Sequence, residues 1–105
     1  MRLTEQELDT IQKYFRRQPV RRVFLFGSYA RGEANRQSDI DLLVELEPRH
    51  SVGIQFFGWP VELSEMLGKR VDLGSADSIL PFYQPFIEAD KTLIYDQEVW
   101  QPAAA

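Results

Sequence analysis

The sequence has no cysteine and one histidine, His50, in 105 residues. The first lack excludes disulfides and thiolate metal centres; the second excludes a multi-histidine site. No apolar run is long enough to cross a bilayer, so no membrane association is expected. The opening stretch Met1-Arg2-Leu3-Thr4-Glu5-Gln6-Glu7 lacks the apolar core of a secretory signal, which points to the cytosol. Repeats and low-complexity tracts are missing too, apart from Gln101-Pro102-Ala103-Ala104-Ala105. Residues 97–105 are expected to form a flexible tail. Positive charge is scarce: 12 Lys and Arg against 16 Asp and Glu give a net charge of −4. Binding to nucleic-acid polymers is mostly phosphate neutralisation, so stable binding of DNA or RNA is not expected. A single nucleotide remains within reach of a few arginines or a metal.

What is present is ordinary for a folded protein. Hydrophobic residues make up 44% and charged residues 27%, which excludes wholesale disorder. The length suits one domain, expected over residues 1–96. Thr4 and Glu7 fit a capping box, with Leu3 and Leu8 as the hydrophobic staple. Leu8, Ile11 and Phe15 then recur on one helical face, and Gln18-Pro19 closes that helix. Val20 to Phe26 reads as a strand and Ser28 to about Glu33 as a short helix that Gly32 ends. Ile40 to Leu46 reads as a second strand. Ser51 to Leu67 is a helical pattern that Ser51 caps, Pro60 kinks or restarts and Gly68 ends. Arg70 to Leu73 is a short strand, Pro81 to Ala89 a helix weakened by Pro85, and Thr92 to Tyr95 a last strand at an edge. The fold class is therefore α/β (α+β): a small mixed sheet with helices packed on it.

The chemistry lies in Phe24-Leu25-Phe26-Gly27-Ser28-Tyr29-Ala30-Arg31-Gly32 and Ser38-Asp39-Ile40-Asp41-Leu42-Leu43-Val44. Strand alternation puts Ile40, Leu42, Val44 and Leu46 on one face and Asp39, Asp41, Leu43 and Glu45 on the other. Two aspartates projecting the same way offer hard oxygen donors of the kind Mg²⁺ prefers. Asp72, facing away from Val71 and Leu73, adds a third carboxylate. Three allow two metal ions about 3.5–4 Å apart. With seven aspartates in the chain, an Asp-x-Asp pair arises by chance about 0.5 times, and alone reads as a solvated strand face. Requiring Gly-Ser ten residues upstream lowers that chance to the order of 10⁻³. Gly27 permits close approach of a ligand, and the Ser28 hydroxyl and nearby N–H groups suit phosphate oxygens. Arg31, one turn on, offers a forked donor to the same anion. Taken singly, these residues describe only a tight turn with a solvated arginine; the joint spacing favours phosphate binding.

Gly-Ser-Tyr-Ala-Arg-Gly followed by Ser-Asp-Ile-Asp-Leu-Leu-Val resembles the minimal nucleotidyltransferases of the polymerase-beta-type superfamily. The resemblance covers roughly residues 20–95, and Arg70-Val71-Asp72-Leu73 matches the family's third-carboxylate strand. It implies the polymerase-beta-type fold, with Gly27 and Ser28 holding the triphosphate of ATP. It implies Asp39 and Asp41 on Mg²⁺, and Asp72 as ligand or base. The implied reaction is transfer of AMP to a tyrosine hydroxyl of a HEPN-domain RNase toxin, which makes the transferase an antitoxin in a hetero-oligomer. A chain this short is expected to lack walls for an acceptor, so another protein, or self-association, is expected to supply them. Two alternatives stand beside this reading: a stoichiometric binding antitoxin, and a transferase acting on a small molecule.

The remaining residues have plainer readings. Phe56, Phe57, Trp59, Phe82, Tyr83 and Phe86 read first as core, with partner docking as the alternative. Lys13, Arg16, Arg17, Arg21 and Arg22 read first as a solvated helix end, with a surface for an acidic partner or an RNA-bound toxin as the alternative. His50 reads as a loop residue, Tyr29 as filling or stacking at the turn, and Glu45 as lying beyond the site.

Overall fold

A computed structural model describes residues 1–48, 53–78 and 84–101. The chain runs α1 (Glu5–Arg16), β1 (Val20–Phe26), α2 (Gly27–Arg31), β2 (Ile40–Leu46), α3 (Gln55–Leu67), β3 (Val71–Ser75), a 3₁₀ turn (Ala76–Ser78), α4 (Gln84–Asp90) and β4 (Thr92–Asp96). The four strands form one sheet in the order β3-β2-β1-β4. β1 is antiparallel to both β2 and β4, whereas β2 and β3 are parallel. The parallel pair needs a crossover, and α3 supplies it. The expected mixed sheet is thus present, with β4 at an edge.

Local chemistry sets the element ends. Thr4 N–H donates to Glu7 Oε1 at 2.9 Å and Glu7 N–H donates to Thr4 Oγ1 at 3.0 Å, closing the capping box. Ile11 and Phe15 of α1 are fully buried, as are Val23, Ile40, Leu42, Val44 and Leu63. Each such side chain contributes about 1.5–3 kcal/mol by leaving water. Trp59 joins them from α3, edge-on to Phe15 at 6.1 Å between ring centroids. α1 and α3 thereby cover one face of the sheet, and the Tyr14 hydroxyl donates to Glu62 Oε2 at 2.7 Å between them.

Three expectations need correction. α3 is one helix from Gln55 to Leu67 with Pro60 inside it, so the helix does not restart there. An interior proline removes one i→i−4 bond and crowds the carbonyl four residues back, a cost set against the burial of Trp59 and Leu63 on either side. Gly68 does end it, at φ 67°, with its N–H donating to Ser64 O at 2.9 Å. The short helix α2 spans Gly27–Arg31 rather than Ser28 to Glu33, because Gly32 already adopts a left-handed cap. β3 starts at Val71 and runs on to Ser75, two residues beyond the expected end, as Leu43↔Gly74 and Val44↔Ser75 continue the ladder. The expected cap at Ser51, the His50 loop, Phe82, Tyr83 and the start of the fourth helix at 81 fall outside the described residues. Pro85 sits in the first turn of α4, where its missing N–H has no helical acceptor to lose.

Packing continues past β4. Gln97 N–H donates to Arg21 O at 2.8 Å and Trp100 N–H to Asp96 O at 2.8 Å. The Trp100 ring lies 5.9 Å from that of Tyr95, which is 2% exposed. Among the described residues, no helix is long and apolar enough to cross a membrane.

Candidate active site

β1 feeds straight into α2 through Gly27, whose φ is 74°. An L side chain rarely adopts that conformation. Space imposes the same choice, because a Cβ at residue 27 would collide with Asp41 Oδ2. The turn therefore lays bare backbone against a carboxylate of β2. Ser28 follows, partly exposed. Tyr29 is 1% exposed and fills the interior beneath the turn, with Lys69 Nζ 5.1 Å from its ring centroid.

Asp41 is the centre of the cluster. It pairs with Phe26 across the antiparallel ladder and with Asp72 across the parallel one. Directly paired residues project to the same side of a sheet, so Asp41 and Asp72 share the face opposite Leu42 and Leu73. Burial, then the Asp72 carboxylate, then Asp39 push the Asp41 carboxyl up to about 6, and Arg31 partly offsets them. Asp72 is exposed at the rim. Asp39 precedes β2 and accepts an ion pair from Arg70 Nε at 2.8 Å.

The structure thus brings together Gly27, Asp41 and Asp72, with Asp39 close enough to act on Asp41. Arg31 is held by carboxylates, with Nε on Glu33 Oε2 at 3.1 Å and Nη1 on Asp90 Oδ2 at 2.6 Å. Glu45 lies further along β2 and pairs with Arg22 at 3.4 Å. Arg70 is the neighbour that sequence reasoning missed. It stands two residues before Asp72, and strand alternation alone would have placed both on one face.

The donor set suits a hard divalent cation, being carboxylate oxygens; the pKa of the Asp41 carboxyl is raised first by burial and then by its acidic neighbours. Among the described residues, no three acidic or imidazole groups converge closely enough to hold a metal by themselves. Mg²⁺ ordinarily takes one or two carboxylates plus substrate phosphates, so two aspartates beside the Gly27–Ser28 turn still fit it.

A family model described as nucleotidyltransferase domain matches residues 8–95. The chain belongs to that family. Relatives of this nucleotidyltransferase include the protein adenylyltransferase MntA of Thermococcus cleftensis, 37% identical over 82 residues, which span 73% of this chain and 82% of that one. A Methanocaldococcus jannaschii protein, provisionally assigned as a protein adenylyltransferase, is 45% identical over 62 residues. That match spans 59% of this chain and 66% of the relative. The fold is similar to that in a toxin–antitoxin crystal structure with AMP-PNP, at a TM-score of 0.71 and 22% identity. That likeness covers 90% of this chain and 74% of the other. It is also similar to that in a complex of a tri-AMPylated Shewanella oneidensis HEPN toxin with an MNT antitoxin. There the TM-score is 0.68 at 18% identity, over 91% of this chain and 75% of the other. These likenesses bear out the sequence reading of a minimal nucleotidyltransferase fold.

Proposed function

We propose that this nucleotidyltransferase transfers AMP from ATP to a tyrosine hydroxyl of a HEPN-type partner in the cytosol, and silences it as an antitoxin. The observation that carries the reading is the Gly27 backbone lying against Asp41, with Asp72 directly across the ladder. A phosphate-binding turn and two carboxylates then meet at one point. The relatives named as protein adenylyltransferases support a protein acceptor. So does the surface of α3, where Ile54, Phe57 and Val61 are 86%, 72% and 58% exposed at helical spacing. Exposed apolar side chains grouped in this way suit contact with another protein.

In this reading Ser28 and the backbone at Gly27 bind the triphosphate, and Arg31 lends a donor beyond those spent on Glu33 and Asp90. Asp39 and Asp41 hold Mg²⁺, with Asp72 completing a site for one or two ions. The cation would neutralise these carboxylates and the triphosphate charge when bound. Asp72, exposed at the rim, faces the incoming hydroxyl and accepts its proton as the oxygen attacks the α-phosphorus. The oxygen–phosphorus bond to pyrophosphate breaks as the new one forms.

The test mixes the protein, Mg²⁺, ATP labelled at the α-phosphate and a HEPN partner. Label is expected on the partner with the wild type and not with the Asp39→Ala/Asp41→Ala protein. If the double variant still forms the complex and still neutralises the toxin, the stoichiometric reading replaces this one.

A further inference from the structure

The ion pair between Arg70 and Asp39 stands out from the other surface pairs because one partner is a proposed cation ligand. Arg70 Nε donates to Asp39 Oδ1 at 2.8 Å. The Arg70 side chain is 80% exposed, whereas that of Asp39 is 32% exposed. Nothing in the core needs this guanidinium. What places it is the backbone: Ile40 N–H donates to Arg70 O at 2.9 Å, which ties the start of β2 to the residue before β3. The two side chains are thus neighbours through the parallel ladder, whatever the surface does.

We infer that Arg70 is a positioning residue that occupies Asp39 when no metal is bound, so that a divalent cation must displace it to reach that carboxylate. This rests on the assignment of Asp39 and Asp41 as cation ligands. Two observations support it. The guanidinium is a positive group on one oxygen, Oδ1, of the carboxylate that the cation would use. It is also exposed and hinged on a long stem, so releasing it breaks one pair and leaves the core untouched. An exposed pair of this kind is a weak competitor. It therefore lowers the cation affinity of the nucleotide-free protein a few-fold without closing the site. Arg70 raises the cation concentration needed by the nucleotide-free protein, and matters less once nucleotide is present.

The test is Mn²⁺ binding to nucleotide-free protein, followed by electron paramagnetic resonance of the free ion. Arg70→Ala is expected to tighten binding about two- to fivefold, the competition an exposed pair can offer. The gain is expected to shrink when a non-hydrolysable ATP analogue is added. Arg36→Ala removes an equal charge from the exposed loop before Asp39 and is expected to change binding far less. Equal tightening by both variants would mean a general field effect and overturn the inference, as would unchanged or weaker binding by Arg70→Ala. Thermal melts of both variants are expected to match the wild type, since both side chains are exposed. Failure of the underlying assignment looks different: the wild type would bind no Mn²⁺, or Asp41→Ala would bind as well as the wild type does.

Discussion

Asp41 and Asp72 are direct partners across the parallel β2–β3 ladder, so two carboxylates from strands 31 positions apart in sequence occupy one row of the sheet. Together with burial, that juxtaposition raises the Asp41 carboxyl from its ordinary 3.8 to about 6. The unfolded chain has no such neighbours.

The first prediction follows from this shift. Because the folded pKa lies above the unfolded one, the Asp41 contribution favours the folded state below about pH 4 and is lost as pH rises through about 6. In chelator, Asp41→Asn is expected to melt above the wild type near neutral pH and level with it near pH 4. Mg²⁺ is expected to raise the wild-type melting temperature at neutral pH and leave Asp41→Asn unmoved, because ligand binding stabilises only a state that can bind. Melting curves at the two pH values, with and without Mg²⁺, check this. A variant that melts lower than the wild type at neutral pH would refute it.

Two glycines are expected to respond with opposite sign. At Gly27 an alanine must adopt φ near 74° and displace the Asp41 carboxylate. The backbone strain costs about 1–2 kcal/mol, and the displaced carboxylate removes transfer activity. At Gly58, inside α3, nothing lies within 4 Å of a new Cβ. Gly58→Ala is expected to stabilise by about 0.5–1 kcal/mol through helix propensity, with activity intact. Urea unfolding and labelled transfer measure both.

Much of this was legible in the sequence because the signals were local. Thr4 and Glu7 sit three residues apart, and alternation through Ile40, Asp41 and Leu42 assigns faces without knowledge of the partner strands. The Asp39–Arg70 pair was not legible, because it depends on which strand lies beside β2 and in what register. The unbroken α3 was not legible either: the proline signal at Pro60 is local, whereas the burial of Trp59 and Leu63 that overrides it is tertiary. Phe57 and Trp59 have similar composition signals, yet one is exposed and the other buried. Only the helix's orientation on the sheet separates them.

Thr4→Ala tests stability apart from chemistry. It removes the side-chain acceptor for Glu7 N–H and should cost about 1 kcal/mol. Glu7 also pairs with Lys69 Nζ at 2.7 Å, so Thr4→Ala is expected to leave that second tie in place. Transfer activity measured well below the melting temperature is expected to be unchanged. A loss of activity there would mean that α1 shapes the site directly.

The last prediction concerns the C-terminal segment. Composition alone marks residues 97–105 as a tail, yet Trp100 packs at 5.9 Å from Tyr95, and Gln97 N–H extends the pairing with Arg21. A frayed end would bury no aromatic surface, whereas a packed one loses that burial on truncation. Full burial of a tryptophan is worth about 3–5 kcal/mol against alanine. Trp100 is only partly buried, so Trp100→Ala is expected to destabilise by about 1–2 kcal/mol. Truncation after Gln101 is expected to change nothing measurable, and truncation after Asp96 to cost at least as much as Trp100→Ala, because it also removes the Gln97 bond to β1. Equal stability of all three proteins in urea would place the end of the packed domain at β4.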